Sequence, residues 1–355
     1  MTPTSCGYPT NGTPAQPQTC PVPESAWDRE LLLAVRPESS AALVAQGITR
    51  GVYRGRAWRR VRRGFYVPAR AGWLPREQRF SATQRILDIT PALTEQMTLG
   101  TWAAAYILGV DWLDGRDPHT WEAKPVDIIA GDRRRRQRKE LTYRFTPVPD
   151  EDALIRNGMR ITGPLRTAFD GARWAGSLED AVVFVDAVAH FLAIEPDDLK
   201  SYVSEHPQWT GIEQATAAVA LTRPEVKSTW ETRLRMCWSN DAGLPPPLIN
   251  VPIFDGSGHL LGIVDLFDPG SGLVAEFDGD QHRDVEHHRR DNIREEKLES
   301  ANLVVVRSDK TDIRRARRQL VERLQIGYRR GRARDRSLDD WTLQQPRWWR
   351  PPPAR

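Results

Sequence analysis

The stretch that decides the fold runs Leu260-Leu-Gly-Ile-Val-Asp265-Leu-Phe-Asp-Pro-Gly-Ser-Gly-Leu-Val-Ala-Glu276-Phe-Asp278-Gly-Asp-Gln281-His282. Two apolar runs, near 260–267 and 272–278, flank Pro269-Gly-Ser-Gly, whose residues suit a chain reversal. They read as neighbouring strands. Working upstream, 248–254 is a third strand candidate, set off by the Asp255-Gly-Ser-Gly turn. Ser228 to Ala242 reads as a helix stopped by Gly243 and then Pro245-Pro-Pro, which cannot continue it. Downstream, a polar helix near 286–301 leads into Leu303-Val-Val-Val-Arg307, a buried-looking strand. The order over this third of the chain is α-β-β-β-α-β.

Acids punctuate those strands. Asp265 is expected at the end of the second strand and Glu276 and Asp278 at the end of the third, so adjacent strands bring the three together. Glu276 and Asp278 are two apart, which points both to one face of a sheet. Convergent carboxylates are what a hard divalent cation requires: Mg²⁺ is held by one or two carboxylates plus water and substrate phosphate. A cation so placed polarises a phosphodiester, generates hydroxide and stabilises the leaving oxygen.

Asp265, followed by Glu276-Phe-Asp278-Gly-Asp-Gln-His282 and then Arg290-Asp291-x-x-Arg294, resembles the E-x-D-G-x-x-H family of uncharacterised proteins related to very-short-patch-repair endonucleases. That family belongs to the PD-(D/E)XK nuclease superfamily, whose α-β-β-β-α-β core has the order read above. The resemblance covers roughly residues 228–310. It implies that Asp265 and Glu276 ligate Mg²⁺ or Mn²⁺, that Glu231 is a further acid, and that His282 carries a proton or contacts phosphate. The superfamily's lysine, two after the glutamate, is here Asp278, so Gln281, His282 or Arg283 would have to substitute for it.

Simpler roles compete. Glu231 stands three after Ser228, the Ser-x-x-Glu spacing of a helix cap. Asp278-Gly279 has the composition of an ordinary turn, and a lone histidine such as His282 is most often a surface or core residue. His287 and His288 lie too close to His282 in a charged helix to be assigned as zinc ligands.

The opposite end of the chain is basic. Between Arg50 and Arg79 there are ten arginines and one acid, Glu77. Ser39 to Gln46 reads as a short helix closed by Gly47, and Trp58 to Val67 as two strands turning at Arg63-Gly64. A helix followed by a basic hairpin is the order of a winged helix. Arg50, Arg54, Arg56, Arg59, Arg60, Arg62 and Arg63 are the candidates to neutralise DNA phosphates, since guanidinium supplies sequence-independent affinity and also reads guanine edges. This stretch resembles the N-terminal winged-helix domain of AbiEi-type antitoxins, and Arg160-Ile-Thr-Gly-Pro-Leu-Arg-Thr-Ala-Phe-Asp170 resembles a segment of the domain that follows it there. The resemblance implies DNA binding, with a cognate toxin or defence-system protein as a partner. The run Arg133 to Lys139 either extends the basic face or is an exposed loop.

Between the ends, Thr101 to Leu108 reads as a helix closed by Gly109, and Val126 to Ala130 as a strand. Ser177-Leu-Glu-Asp180 and Thr210-Gly-Ile-Glu213 match capping boxes that open helices near 178–192 and 211–221. The chain of 355 residues thus divides into a disordered tail (1–26), a winged helix (27–85), a mixed α/β middle (86–222), a nuclease-type α/β domain (223–330) and an extended tail (331–355) in which Trp341, Trp348 and Trp349 could dock back.

Bulk composition narrows the class. With 51 Lys+Arg against 47 Asp+Glu the net charge is only +4, so the clustering of charge carries the signal. Cys6, Cys20 and Cys237 are too few and too scattered for a disulfide framework or a sulfur-based zinc site. No apolar run approaches the length of a membrane helix, and neither secretory signal region is present, so a cytoplasmic protein with no membrane partner is expected. The leading expectation is a DNA-binding, metal-dependent endonuclease; the alternative is a non-catalytic DNA-binding regulator of antitoxin type with a degenerate nuclease core.

Overall fold

The computed structural model describes residues 25–71, 81–131, 138–279 and 294–351. Of the expected disordered tail at 1–26, residues 1–24 lie outside these residues, as do the bulk of the 133–139 basic run, Gln281, His282, Arg283, His287 and His288; Ser25 and Ala26 instead open a helix. Within them the chain is a mixed α/β protein with three sheets. No helix among the described residues is long and apolar enough to cross a membrane.

The first sheet has order β1-β3-β2 (Glu38–Ser39, Phe65–Pro68, Trp58–Arg62) and carries α2 (Ser40–Ala45) and α3 (Arg50–Tyr53). Ser39 caps α2 by accepting from the Ala42 amide at 3.1 Å, and Gly47 leaves it at φ +82°. The β2–β3 reversal uses Gly64, also at φ +82°, where a side chain would be strained. This sheet encloses only a small core of Leu43, Tyr53 and Tyr66, the two rings 4.8 Å apart.

The second sheet has order β6-β5-β4-β8-β7: Leu141–Arg144, Val126–Ile129, Thr98–Leu99, Met159–Thr162 and Ala153–Arg156. On it pack α1 (Ala26–Leu31), α4 (Ala82–Asp88) and α5 (Thr101–Ile107), so the fully buried Trp27 belongs to this core, not to the basic hairpin's. A helical layer follows: α6 (Pro164–Arg173), α7 (Leu178–Leu192), α8 (Pro196–Ser204) and α9 (Ile212–Ala220). Ser177 caps α7 as expected, but Thr210 does not cap α9. Gly211 does, at φ +83°; a Cβ there would stand 2.4 Å from the Arg173 carbonyl oxygen, so only glycine fits.

The third sheet has order β12-β11-β10-β9: Val304–Ser308, Leu273–Phe277, Leu260–Asp268 and Leu248–Phe254. β9, β10 and β11 form an antiparallel meander, whereas β12 joins β11 in parallel after a crossover whose residues 294–300 are helical (α11). The preceding helix α10 (Thr229–Met236) gives way to a π turn at Cys237–Asp241 and ends at Gly243. One face of the sheet packs on α10, α12 (Lys310–Arg315) and α13 (Arg317–Arg332); the other packs on α11 and the C-terminal segment. That segment docks rather than trailing away: Thr342 bridges Phe254, and Trp341 meets Phe267 edge-on at 5.1 Å. Buried ion pairs fasten α10 to α7, with Asp186 accepting from Arg235 and from the Thr232 hydroxyl, each at 2.8 Å.

Candidate functional site

The meander brings the acids together. Leu266, one residue beyond Asp265, pairs with Ala275, one before Glu276; Phe267 pairs with Val274, and the Phe277 amide donates to Asp265 Oδ2. Asp265 lies inside β10 rather than at its end, because the strand runs on to Asp268, which closes the following turn by accepting from the Ser271 amide and hydroxyl. Along β11, Leu273 and Ala275 face α10 and α13 while Val274 faces α11, and the strand's alternation gives Glu276 the α11 side. Glu231, on α10, comes near enough to Asp265 to raise its proton affinity.

Each of these carboxylates has one oxygen engaged. Asp265 Oδ2 accepts from the Phe277 amide at 2.8 Å; Glu276 Oε1 pairs with Arg294; Glu231 Oε2 accepts from the Lys227 amide and from Asn250 Nδ2, both at 2.8 Å. The second oxygen of each has no hydrogen-bond partner among the described residues. The capping role anticipated for this helix is divided: Ser228 Oγ accepts from the Glu231 amide, while the Glu231 carboxylate holds the backbone one residue earlier. Glu231 therefore serves the helix and the cluster together.

Crowding of like charge shows in the proton affinities. Burial first, then the charges of Glu231 and Glu276, push the Asp265 carboxyl up to about 7. Glu276 is also raised, because its burial outweighs the attraction of Arg294. Such a cluster favours a cation or a proton. In charge and in spare lone pairs it suits a divalent ion, yet no three acidic, histidine or cysteine groups stand at metal-ligand spacing among the described residues.

Asp278 departs from the group. It is half exposed and pairs with Arg307 Nη2 at 2.8 Å, while Arg307 Nη1 reaches Glu295 at 3.2 Å. Arg307 sits there because β12 runs parallel to β11 with Arg307 beside Glu276. Arg294 and Arg307 thus supply positive charge around Glu276. Arg294 was visible only as part of the resemblance; Arg307 carried no sequence signal, since strand partnership sets its place. Trp230, next to Glu231, stacks on Phe277 at 5.6 Å and lies under the Arg314 guanidinium at 4.9 Å, giving the site an aromatic rim.

The basic hairpin divides by role. Arg59 is bidentate to Asp88 at 2.5 and 3.2 Å, which ties β2 to α4 and neutralises the charge. Arg50, Arg54, Arg56, Arg60 and Arg63 are exposed and Arg62 is half-buried, and none forms an ion pair with a described residue. Beside β2 a cleft of about 390 Å³ is lined by Arg60, Arg62, Arg85, Lys124, Arg138 and Lys139 against Asp88 and Glu140. The cations of the 133–139 run that are described therefore face the hairpin. In the Arg160–Asp170 segment, Arg166 is fully buried, paired with Asp170 at 2.8 Å and stacked over Trp209, so it holds α6 in place and faces no solvent. Cys237 is buried with its thiol pushed up to about 12, far from reactive.

Compared with protein-family models, with curated proteins and with solved structures, the chain matches none.

Proposed function

We propose that the chain is a DNA-binding, divalent-metal-dependent endonuclease: a winged helix at 38–68 grips the duplex, and a PD-(D/E)XK-type core at 228–308 hydrolyses the phosphodiester. The observation that carries the catalytic half is Asp265 standing near enough to both Glu231 and Glu276 for each to raise its proton affinity, with one oxygen of each acid unpartnered among the described residues. The meander with a parallel fourth strand supports the core assignment, and Arg60, Arg62 and Arg63, which have no ion-pair partner among the described residues, support the binding half.

Asp265 and Glu276 would hold Mg²⁺ or Mn²⁺, with Glu231 as the third acid. When bound, the ion supplies Lewis-acid polarisation and a more acidic water. Asp265 must lose its proton to serve as a ligand, so its raised affinity for protons opposes cation binding below neutrality. Arg294 holds positive charge beside Glu276, in the role that lysine fills in the superfamily pattern. His282 and Gln281 remain the candidates to move a proton or contact phosphate.

A second reading has its own support. Asp278 stands where that lysine would, and Arg294 already occupies one oxygen of Glu276. A core neutralised internally in this way suits a non-catalytic DNA-binding regulator of AbiEi antitoxin type, with a toxin or defence protein as partner. One experiment separates the two: incubate the purified chain with single- and double-stranded DNA and RNA, with Mg²⁺ or Mn²⁺ and with chelator. Chelator-sensitive cleavage supports the endonuclease; duplex binding without cleavage under every condition supports the regulator.

A further inference from the structure

A cavity of about 400 Å³ lies between the second sheet and the helical layer; Lys124 in its wall also lines the cleft beside the basic hairpin, and Thr229 and Arg233 reach it from α10. Its volume falls in the range of small-molecule sites, roughly 300–1,000 Å³. Trp102, Trp112, Trp174 and Phe184 line it. These rings are already fixed: the Trp102 indole N–H donates to the Pro125 carbonyl at 2.7 Å, Trp112 stacks on His190 at 4.9 Å, and Trp174 lies 4.1 Å from the Arg173 guanidinium.

Most of the charge in the wall is matched internally. Arg233 is spent on Glu179 and Asp180, and Arg116 lies 3.3 Å from Asp114. Arg144 differs. Its Nε donates to Asp127 Oδ1 at 2.8 Å, its guanidinium lies 4.6 Å from the Trp174 ring, and its two terminal nitrogens have no hydrogen-bond partner among the described residues. Asp127 is in turn held by the Thr101 hydroxyl at 2.7 Å, and it is buried. The guanidinium is thus anchored through one edge with its other donors open, which is the geometry that captures a carboxylate or phosphate.

Thr101 adds an independent sign. It is β-branched yet sits at φ +47°, a conformation such residues rarely adopt. Backbone strain of this kind costs about 1–3 kcal/mol and persists where the surrounding structure enforces it, commonly at ligand sites. Here the strained residue lines the cavity and orients the Asp127–Arg144 pair.

We propose that this cavity binds a small molecule with a planar aromatic ring and one anionic group, the ring against the indoles and the anion on Arg144. The probes are dAMP and indole-3-acetate, which share a ring and an anion but differ in the anion's chemistry, each titrated against the intact chain by calorimetry. Saturable binding of either supports the site; no binding of either up to about 1 mM overturns it. Arg144→Gln is expected to weaken binding about tenfold, the worth of one charge-assisted hydrogen bond. Because that change also frees Asp127, a second variant avoids the ion pair. Gly176 lies on the exposed rim of the cavity with open space where a side chain would begin, so Gly176→Phe sets a ring at the mouth without disturbing a partnered group, and binding should weaken at least tenfold with the circular dichroism unchanged. Undiminished affinity in a folded Gly176→Phe protein would show that the probe binds elsewhere.

Discussion

The guanidinium of Arg294 rests on the carboxylate of Glu276, the group that a divalent cation would also need. Its stem reaches there by crossing Gly262 on β10, where even a methyl group would stand 3.2 Å from Arg294 Cδ. The glycine keeps the path open. Arg294 is therefore a built-in counter-ion for an acid that is 7 % exposed and flanked by Asp265. Whether cation and arginine share Glu276 or compete for it decides how the site works.

Arg294→Ala leaves Glu276 buried without its partner, and the expected destabilisation is about 1–3 kcal/mol, below the full cost of breaking a buried pair because Arg294 is partly exposed. Urea unfolding in chelator measures it. Millimolar Mg²⁺ or Mn²⁺ should return most of that stability by taking the arginine's place. If the variant unfolds at the same urea concentration with and without divalent ions, these acids do not hold a metal.

Asp265 makes stability depend on pH. Its folded-state affinity for protons, at about 7, lies above the unfolded value near 4, so between those limits the folded chain binds more protons than the unfolded one. Stability is then greatest below about pH 4 on this account and falls as pH rises to about 7, by up to about 4 kcal/mol at about 1.4 kcal/mol per pH unit. Asp265→Asn keeps an oxygen for the Phe277 amide and removes the charge. In chelator at pH 8 the variant should be more stable than the parent, and the slope from this group should vanish. Equal stability across the range would mean that Asp265 is solvated in solution.

The hairpin arginines separate by partner. Arg59→Ala breaks the bidentate pairing with Asp88 and should cost folding stability, about 1–3 kcal/mol, with little effect on the salt dependence of DNA binding. Replacing Arg60, Arg62 and Arg63 should do the reverse: stability holds, and the slope of log K against log salt shrinks by about 0.9 for each duplex phosphate that is no longer neutralised. An unchanged slope in the triple variant would remove the hairpin from the interface.

Local signals carried much of this fold. Asp255-Gly-Ser-Gly and Pro269-Gly-Ser-Gly bracket β10 because their residues take turn geometry cheaply, and Ser39, Ser177 and Ser228 each cap the helix that follows. The nearness of Asp265 and Glu276 was legible because two strands joined by a short turn are neighbours in a sheet. What stayed hidden depends on residues distant in sequence. Arg307 enters the site through a parallel pairing across the α11 crossover, Arg59 reads as one more exposed cation until Asp88 is seen beside it, and Arg166 is buried despite its charge because Asp170 and Asp152 meet it. Thr210 looked like a cap because the spacing fits, but the close approach of Arg173 allows only Gly211 there.

The final prediction separates chemistry from binding. Asp265→Asn or Glu276→Gln keeps the shape but removes charge that the cation needs, so cleavage should fall by orders of magnitude while duplex affinity through the hairpin holds. His282→Ala should lower the rate by roughly 10²- to 10⁴-fold if it carries a proton, and less if it only contacts phosphate. Asp278→Lys is the sharpest variant. It restores the superfamily pattern, but in this fold it sets a lysine against Arg307, which is then deprived of the carboxylate 2.8 Å away. With Arg294 already beside Glu276, the new lysine adds repulsion without a new function, so cleavage should not rise and stability should fall. A gain in cleavage would mean that Arg294 does not fill the lysine's role and that the parent core is impaired. The regulator reading would then take precedence, with DNA binding through Arg50, Arg54, Arg56, Arg60, Arg62 and Arg63 as the chain's activity.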